Sequence, residues 1–529
     1  MLCEPCPAAY VAYAPPQSPD VRREKWTTEM RKLCHLILYL IVSMSAFGVE
    51  TFYVSPDGND AWSGKLEFPN PEGTDGPLAS IVGARDAIRG MRELTSPIHV
   101  LFADGTYAMT EPVVFEPMDS GTEEFPILYA AAPGAEPVFS GGRTITNFVH
   151  ENGVWKAHVP GVANGEWYFK QLWVNGRRAT HARTPNEFTH YMLYSISLHN
   201  VRMHTEPPTF ETQAFVTDPE GQRIRRFDMG LYEGLSEDDV EHRVFVAEPE
   251  DIEPLLGLSQ EEIEDVLVFV YHSWFIDIHR IQAIDAETST VVLTGPGGSR
   301  ELHRYGSERQ RYRLGNFPAA LHEPGEWFLA RDGTLSYIPR EGEVISEIEA
   351  IAPVADSWIR IEGNAGTEDF VEHLQFQGLI FHHAGRVEIP REGLGVSQGA
   401  AATYPGRFTA GAAIEIDGGR HIGFVDCEIA HVGAYAVWFR DGCSDSRIER
   451  CHIRDLGAGG IRLGLDNYDG WKPLDHRITD RITVHNNIVR GGARVFRGGK
   501  GIRCITAPSW TLRSSCGHSA FLLQGLSYS

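Results

Sequence analysis

Two stretches of the chain, CEIAHVGAYAVWF from Cys427 to Phe439 and CHIRDLGAGGIRLG from Cys451 to Gly464, write one pattern twice, 451 − 427 = 24 residues apart. Aligned on that period, Phe424 falls on Ile448, Cys427 on Cys451, Ile429 on Ile453, Val437 on Ile461 and Phe439 on Leu463, and Gly433 falls on Gly457. After an insertion, DRITVHNNIVRGG places Val484, Asn487 and Val489 in the same slots; two periods earlier, EHLQFQGLIF supplies Phe376, Leu379 and Phe381. Apolar residues at i and i+2 in short runs are strands, not helices. Short strands punctuated by Gly at a period of 20 to 30 residues specify a solenoid. One such coil cannot bury its apolar face alone, so the coils must stack into a continuous core. Coils one above another lie about 4.8 Å apart. Cys427 and Cys451 are then within the Cα range of a disulfide, but Cys is also a good small core residue, and we read a buried, reduced ladder.

The 529 residues suffice for two or three domains. A net charge of −24 argues against nucleic acid, which needs a basic footprint. The 54 glycines suit a turn-dense β protein. From Met30 the chain reads MRKLCHLILYLIVSMSAFG: a basic start, an apolar run from Leu33 to Val42, and small-x-small residues at Ala46-Phe47-Gly48. This is the pattern of a signal peptide over 30–48, with an uncleaved anchor as the alternative. It predicts a secreted protein, extracellular or periplasmic, with no membrane span in the mature chain. Residues 1–29 are Pro-rich and unpatterned and read as a mis-assigned, disordered extension, so Cys3 and Cys6 are not taken as a metal pair. No zinc spacing occurs among Cys427, Cys443, Cys451, Cys504 and Cys516.

Past the signal, TFYVSPDGNDAWSG is a strand and a loop. Ile81, Ala84, Ile88 and Met91 recur at helical spacing behind Ser80, a suitable N-cap, and this helix is placed to cap the open end of the solenoid. IHVLFADGTYAMTEPVVFEP and FPILYAAAPGAEPVFSGG read as first coils, so 49–148 is cap and coils. From about 149 to 345 the period is lost. Longer alternating runs, a capping box at Ser259 and Glu262, and a hairpin turning at Arg331-Asp332-Gly333 predict an inserted antiparallel β-rich domain. Coils resume over 346–512, leaving 513–529 as an unpatterned tail. The predicted fold is mainly β: a right-handed parallel β-helix with an N-terminal capping helix and that insertion.

FYVSPDGNDAWSG, GPLASIVGARDAIR, LWVNGRRATHARTPN, GEWFLARDGTLSYIPREGE and CHIRDLGAGGIRLG together resemble the secreted right-handed parallel β-helix proteins related to glycoside hydrolase family 141, over about 52 to 500. The resemblance implies a pectin lyase-like fold and a polysaccharide-degrading role, with fucosidase and xylanase activities among relatives. Relatives continue for several more coils, whereas here the pattern ends in RSSCGHSAFLLQGLSYS after Leu512, as a truncation or frameshift would leave it. Part of the family site is therefore expected in the coils beyond, and no family catalytic residue is carried over.

Glycoside hydrolysis needs two carboxyl groups across the scissile bond. Since Ile414/Ile416, Val437/Phe439 and Ile461/Leu463 point inward, Glu415, Trp438 and Arg462 point outward and stack. Asp417 and Asp441 follow at the turns. This column supplies the candidates: Glu415, Asp417 and Asp441 as catalytic carboxylates, and Trp438, Arg462 and Asp466 as substrate contacts, an indole packing on a sugar face and charges on its hydroxyls. The competing reading is a solvated face, with Trp438 under the inserted domain or a loop. The loops 385–411 and 464–480 are expected to wall the column, with Asp469 and Trp471 secondary candidates. His431 and Asp455 share one turn slot and read as a structural pair. His382-His383 lacks a third ligand, so no metal is assigned, and no cofactor is expected. A monomer acting on a plant or algal polysaccharide is the leading expectation; a polysaccharide lyase on the same fold and a non-catalytic carbohydrate-binding or degenerate β-helix protein are the alternatives.

Overall fold

A computed structural model describes residues 48–513 except 92, 187–188, 203–204, 206–208, 218–221, 229–233, 273–274, 297–301, 303–309, 386–388, 398–399, 403–409, 466–476 and 505–509. The extension and all but the last residue of the signal segment, the tail from 514, and Asp466, Asp469, Trp471 and Cys516 lie outside the described residues.

The repeat is a coil of a parallel β-helix. Each full coil contributes one strand to each of three parallel sheets. The first face runs Glu50–Val54, Ile98–Phe102, Ile127–Ala131, Leu374–Gln377, Gly423–Val425, Arg447–Glu449, Ile482–His485 and Trp510–Arg513. The second runs from Gly105–Ala108 to Ile488–Arg490, and the third from Val113–Phe115 to Ile502–Cys504, each of six strands. Register follows the sequence alignment: Phe376 beside Phe424, Phe424 beside Ile448, Ile448 beside Val484. On the other faces Ile429 sits beside Ile453, Val437 beside Ile461, and Phe439 beside Leu463. Like residues therefore stack on like. Tyr129, Phe376 and Phe424 form a ladder with ring centroids 5.4 and 4.9 Å apart, each contact adding about 0.5–1.5 kcal/mol beyond burial. Cys427 and Cys451 are buried and reduced within this core.

Left-handed residues turn the coil corners. His373, His421, Asp445 and Arg481 hold φ of 50 to 55° where the third face gives way to the first. Asp426, Arg450 and Asn486, with φ of 53 to 55°, turn the first face into the second. His383, His431 and Asp455, at 52 to 63°, turn the second toward the third. Asn, Asp and His tolerate this conformation better than most residues. Stacking then reuses their side chains: His373 lies on His421 with centroids 4.4 Å apart, and Arg450 and Arg481 bind Asp426 and Asp445, each at 2.7 Å.

The N-terminal helix Ile81–Arg89 buries Ile81, Ala84 and Ile88 in the core cluster of the coils. Ser80 Oγ accepts from the Gly83 amide at 2.9 Å and donates to Asp60 at 2.7 Å. Ser80→Ala is expected to lower stability by about 1 kcal/mol, read as an earlier midpoint in urea; an unmoved midpoint would show that the cap contributes nothing.

The chain leaves the coils after Pro137–Ser140 and rejoins them at Ile359–Glu362. Gly142–Ile145 and Ala350–Pro353 pair antiparallel as the neck of the excursion. Within it, the helix Gln260–Asp265 starts at the expected Ser259–Glu262 capping box, and Glu326–Leu329 and Thr334–Tyr337 form the expected hairpin around Gly333 at φ 86°. A second excursion from the coils supplies Leu394–Ser397, which pairs with the inserted strand Phe275–Asp285. The two excursions thus share a sheet, and that sheet roofs part of the third face. Among the described residues no helix is long and apolar enough to cross a membrane.

Candidate functional site

Alternation on the third face sends Arg360, Glu415, Trp438 and Arg462 outward in one register column. Asp417 ends the strand Ala412–Asp417, and Asp441 follows the strand Tyr435–Phe439 by two residues. The structure brings Glu415, Asp417 and Asp441 into one cleft of about 370 Å³, lined also by Arg360, Glu362 and Arg440.

Arg440 organises this cleft. Its Nη1 lies 2.7 Å from Glu415 Oε2 and its Nε 3.4 Å from Asp417 Oδ1. Glu415 Oε1 accepts from the Ala412 amide at 2.8 Å, which fixes the carboxylate from both sides. Asp441 Oδ2 pairs with Arg477 at 2.8 Å. Partial burial, reinforced by the negative charges of Glu415 and Asp441, pushes the Asp417 carboxyl up to about 6 against the pull of Arg440. The cleft thus holds one carboxyl group poised to keep a proton near pH 6 beside another clamped by a guanidinium. Two carboxyls with environments that differ in this way are what acid-assisted bond cleavage requires.

Trp438 and Arg462 have a different fate. They point outward, as alternation demands, but both are buried, with 4% and 1% of each exposed. Trp438 packs with Phe269 and Ile278 of the inserted block and with Leu394 and Val396 of the second excursion. Its indole donates to the Gly464 carbonyl at 2.9 Å, and the Arg462 guanidinium lies 3.7 Å from its ring centroid. No sugar ring reaches this indole while the roof is in place. The expectation of a stacking platform at Trp438 and Arg462 is therefore corrected in favour of the competing reading, in which Trp438 lies under the inserted domain: sequence alternation gives direction but does not decide what lies above. Asp466 lies outside the described residues.

Arg440 and Arg360 were not among the sequence candidates. Arg440 directly follows Phe439, the last residue of its strand, in the slot that continues the outward alternation from Trp438 as Asp417 does from Glu415, so the pattern held a signal for it. The turn pair His431 and Asp455 belongs to a second polar centre. Asp455 accepts from His431 Nδ1 at 2.9 Å, as that pairing anticipated, but also from Trp173 Nε1 at 2.7 Å and Arg178 Nε at 2.9 Å, both from the inserted block. Arg178 also donates to the carbonyls of Val432 and Asp455. Trp173 and Arg178 stand in LWVNGRRATHARTPN, where nothing local marks them as partners of a coil 277 or more residues away.

No protein-family model matches the sequence, and no curated protein does. Solved structures do match. One described as a glycoside hydrolase superposes with a TM-score of 0.66 at 19% identity, over 86% of this chain and 75% of that one. A complex of XylC with xylose gives 0.39 at 13% identity over 86% and 56%. The tailspike protein gp49 from Pseudomonas phage LKA1 gives 0.21 at 7% over 83% and 52%. The first of these likenesses shows that the chain shares its fold with that hydrolase across most of both molecules.

Proposed function

We propose that the protein is a secreted glycoside hydrolase of the family 141 type, acting on a plant or algal polysaccharide at the Glu415–Asp417–Asp441 cleft. The observation that carries the reading is the unequal pair around Arg440: Glu415 in an ion pair at 2.7 Å, and Asp417 raised to about 6. In this reading Asp417 protonates the leaving oxygen, and Glu415 or Asp441 serves as the second carboxylate, on the anomeric centre or on water. The fold shared with a glycoside hydrolase supports it. Export rests on the segment from Met30 to Gly48.

Asp417→Asn is expected to lower turnover by about 100-fold or more. In the parent protein activity should fall as pH rises through about 6, when Asp417 loses its proton. Reducing-end release from a panel of polysaccharides checks both, and unsaturated, ultraviolet-absorbing products would indicate β-elimination by a lyase instead. A folded Asp417→Asn protein with parental turnover would remove Asp417 from the chemistry.

A further inference from the structure

A second, larger cleft of about 710 Å³ lies where the inserted block meets the coils. Its charge is opposite to that of the molecule. Among the described lining residues the one carboxylate is Asp455, against eight cationic side chains. Asp455 is already engaged by His431, Trp173 and Arg178. Arg454 is likewise engaged, by Glu428 at 2.7 Å. The wall also carries Lys170, Arg177, Arg183, Arg313, Arg494 and Arg497, and Asp265, which does not line it, lies near enough to Lys170 to feel its charge. A chain with net charge −24 has abundant acid to place beside them, yet the described wall carries no second carboxylate.

These six cations are arranged in depth. Arg177, Arg494 and Arg497 are exposed at the mouth, while Lys170, Arg183 and Arg313 are half-buried. Arg313 is held in place, its Nε donating to the Tyr271 hydroxyl at 2.9 Å and its guanidinium 3.6 Å from the Phe269 ring centroid. Burial and the neighbouring charges of Arg183 and Arg497 depress it, to about 10. Among the lining residues, His181 stacks on Trp327 with ring centroids 4.7 Å apart, its Nε2 buried from solvent. Burial, with Lys170 and Arg313 beside it, keeps this ring neutral, so it adds no charge of its own to the wall. Phe269, Ile278, Ile389 and Phe496 supply an apolar wall. Mutually repelling cations held around a low-dielectric cleft focus a positive potential there and draw in anions. An apolar wall beside guanidinium groups fits a sugar ring bearing an acidic substituent.

We propose that this cleft binds an acidic sugar unit, its uronate carboxylate or sulfate ester held by the arginines, with Lys170 contributing charge. The proposal rests on the carbohydrate-active reading and adds the substrate class: an anionic polysaccharide. Calorimetric binding to the full-length protein tests it with an oligogalacturonate, a sulfated galactan oligosaccharide and a neutral xylo-oligosaccharide, and with inorganic phosphate and single-stranded DNA as controls. One acidic oligosaccharide should bind at least about tenfold tighter than the neutral one, and lose that advantage as salt is raised to about 0.5 M. The carboxylated and sulfated probes tell the two sources apart. Arg494→Ala with Arg497→Ala should weaken binding about tenfold or more without moving the unfolding midpoint, since both side chains are exposed; Arg177→Ala provides an independent check at the same mouth. Equal binding of acidic and neutral sugars overturns the charge assignment and leaves the carbohydrate reading standing. Phosphate or DNA binding as tightly as the acidic sugar overturns it as a general anion site. Failure of every saccharide to bind or react removes both readings.

Discussion

Gly457→Ala should destabilise the protein by on the order of 3 kcal/mol or more, although it adds a single methyl group. A Cβ at Gly457 would sit 1.7 Å from the Gly433 carbonyl oxygen and 2.3 Å from its carbon. Both are backbone atoms of the preceding coil, so no side-chain rotation relieves the clash. Gly433 repeats the situation one coil earlier, where its own Cβ would lie 1.9 Å from the Gly385 oxygen. Nor is the backbone free to swing away. Gly457 donates to Val432 at 2.7 Å, and its carbonyl accepts from Val495 and Phe496 at 2.8 and 2.7 Å. Relief requires opening the stack at the corner where the inserted block docks. Gly257→Ala is the control: its Cβ meets nothing within 4 Å, and the change should stay within about 0.5 kcal/mol. Urea midpoints of the two variants decide the matter. Equal midpoints would mean that the ladder of glycines is incidental.

That ladder is legible in the sequence, as the coincidence of Gly433 with Gly457 at the 24-residue period, and so is most of the coil. Periodicity works here because stacking forces equivalent residues into equivalent environments: Phe376, Phe424, Ile448 and Val484 must all fill one column. The capping helix and the hairpin turn were legible because Ser80 and Asp332-Gly333 are local signals. The roof was not. Leu394–Ser397 pairs with a strand more than a hundred residues earlier, and no short-range pattern encodes that partnership. Alternation therefore gives Trp438 and Arg462 their direction, while the choice between a sugar-facing surface and a cover by the inserted domain is made only by the long-range pairing. The site candidates that stand together, Glu415, Asp417 and Asp441, lie at the edge of the face that the roof leaves uncovered. The cationic cleft escaped for the same reason, since its arginines come from distant parts of the chain and converge only when the insertion folds back onto the coils.

Asp455→Ala should cost about 3–5 kcal/mol, the penalty for removing one partner of a buried charged pair, and should loosen the inserted block before the coils. The Asp455 carboxylate accepts one hydrogen bond from its own face of the helix and two from the insertion. Without it, Arg178 and the Trp173 indole lose their acceptor in a place where little water reaches. His431 loses the group that orients its ring, which lies against His383 with centroids 5.0 Å apart. Burial by itself would raise the Asp455 carboxyl; the hydrogen bond from His431, the charge of Arg178 and the Trp173 indole outweigh it and hold the group well below the usual carboxylate range. A depressed carboxyl stabilises the fold above its ordinary titration range and loses that contribution as pH falls through it. The histidines act in the same direction. Burial lowers both His383, to about 2, and His431, so protonation favours the unfolded chain once pH drops below the ordinary histidine value of 6.5. Acid should thus weaken this junction in two stages, the histidines first and Asp455 afterwards. Asp455→Ala removes the second stage and lowers stability already at neutral pH. Limited proteolysis should then cut between 142 and 353 at urea concentrations that leave the coils folded. The cycle of Asp455→Ala, Arg178→Ala and the double variant isolates the coupling between the two residues. Additive single effects, with no preferential cleavage of the insertion, would show that Asp455 holds its own coil together and does not anchor the domain.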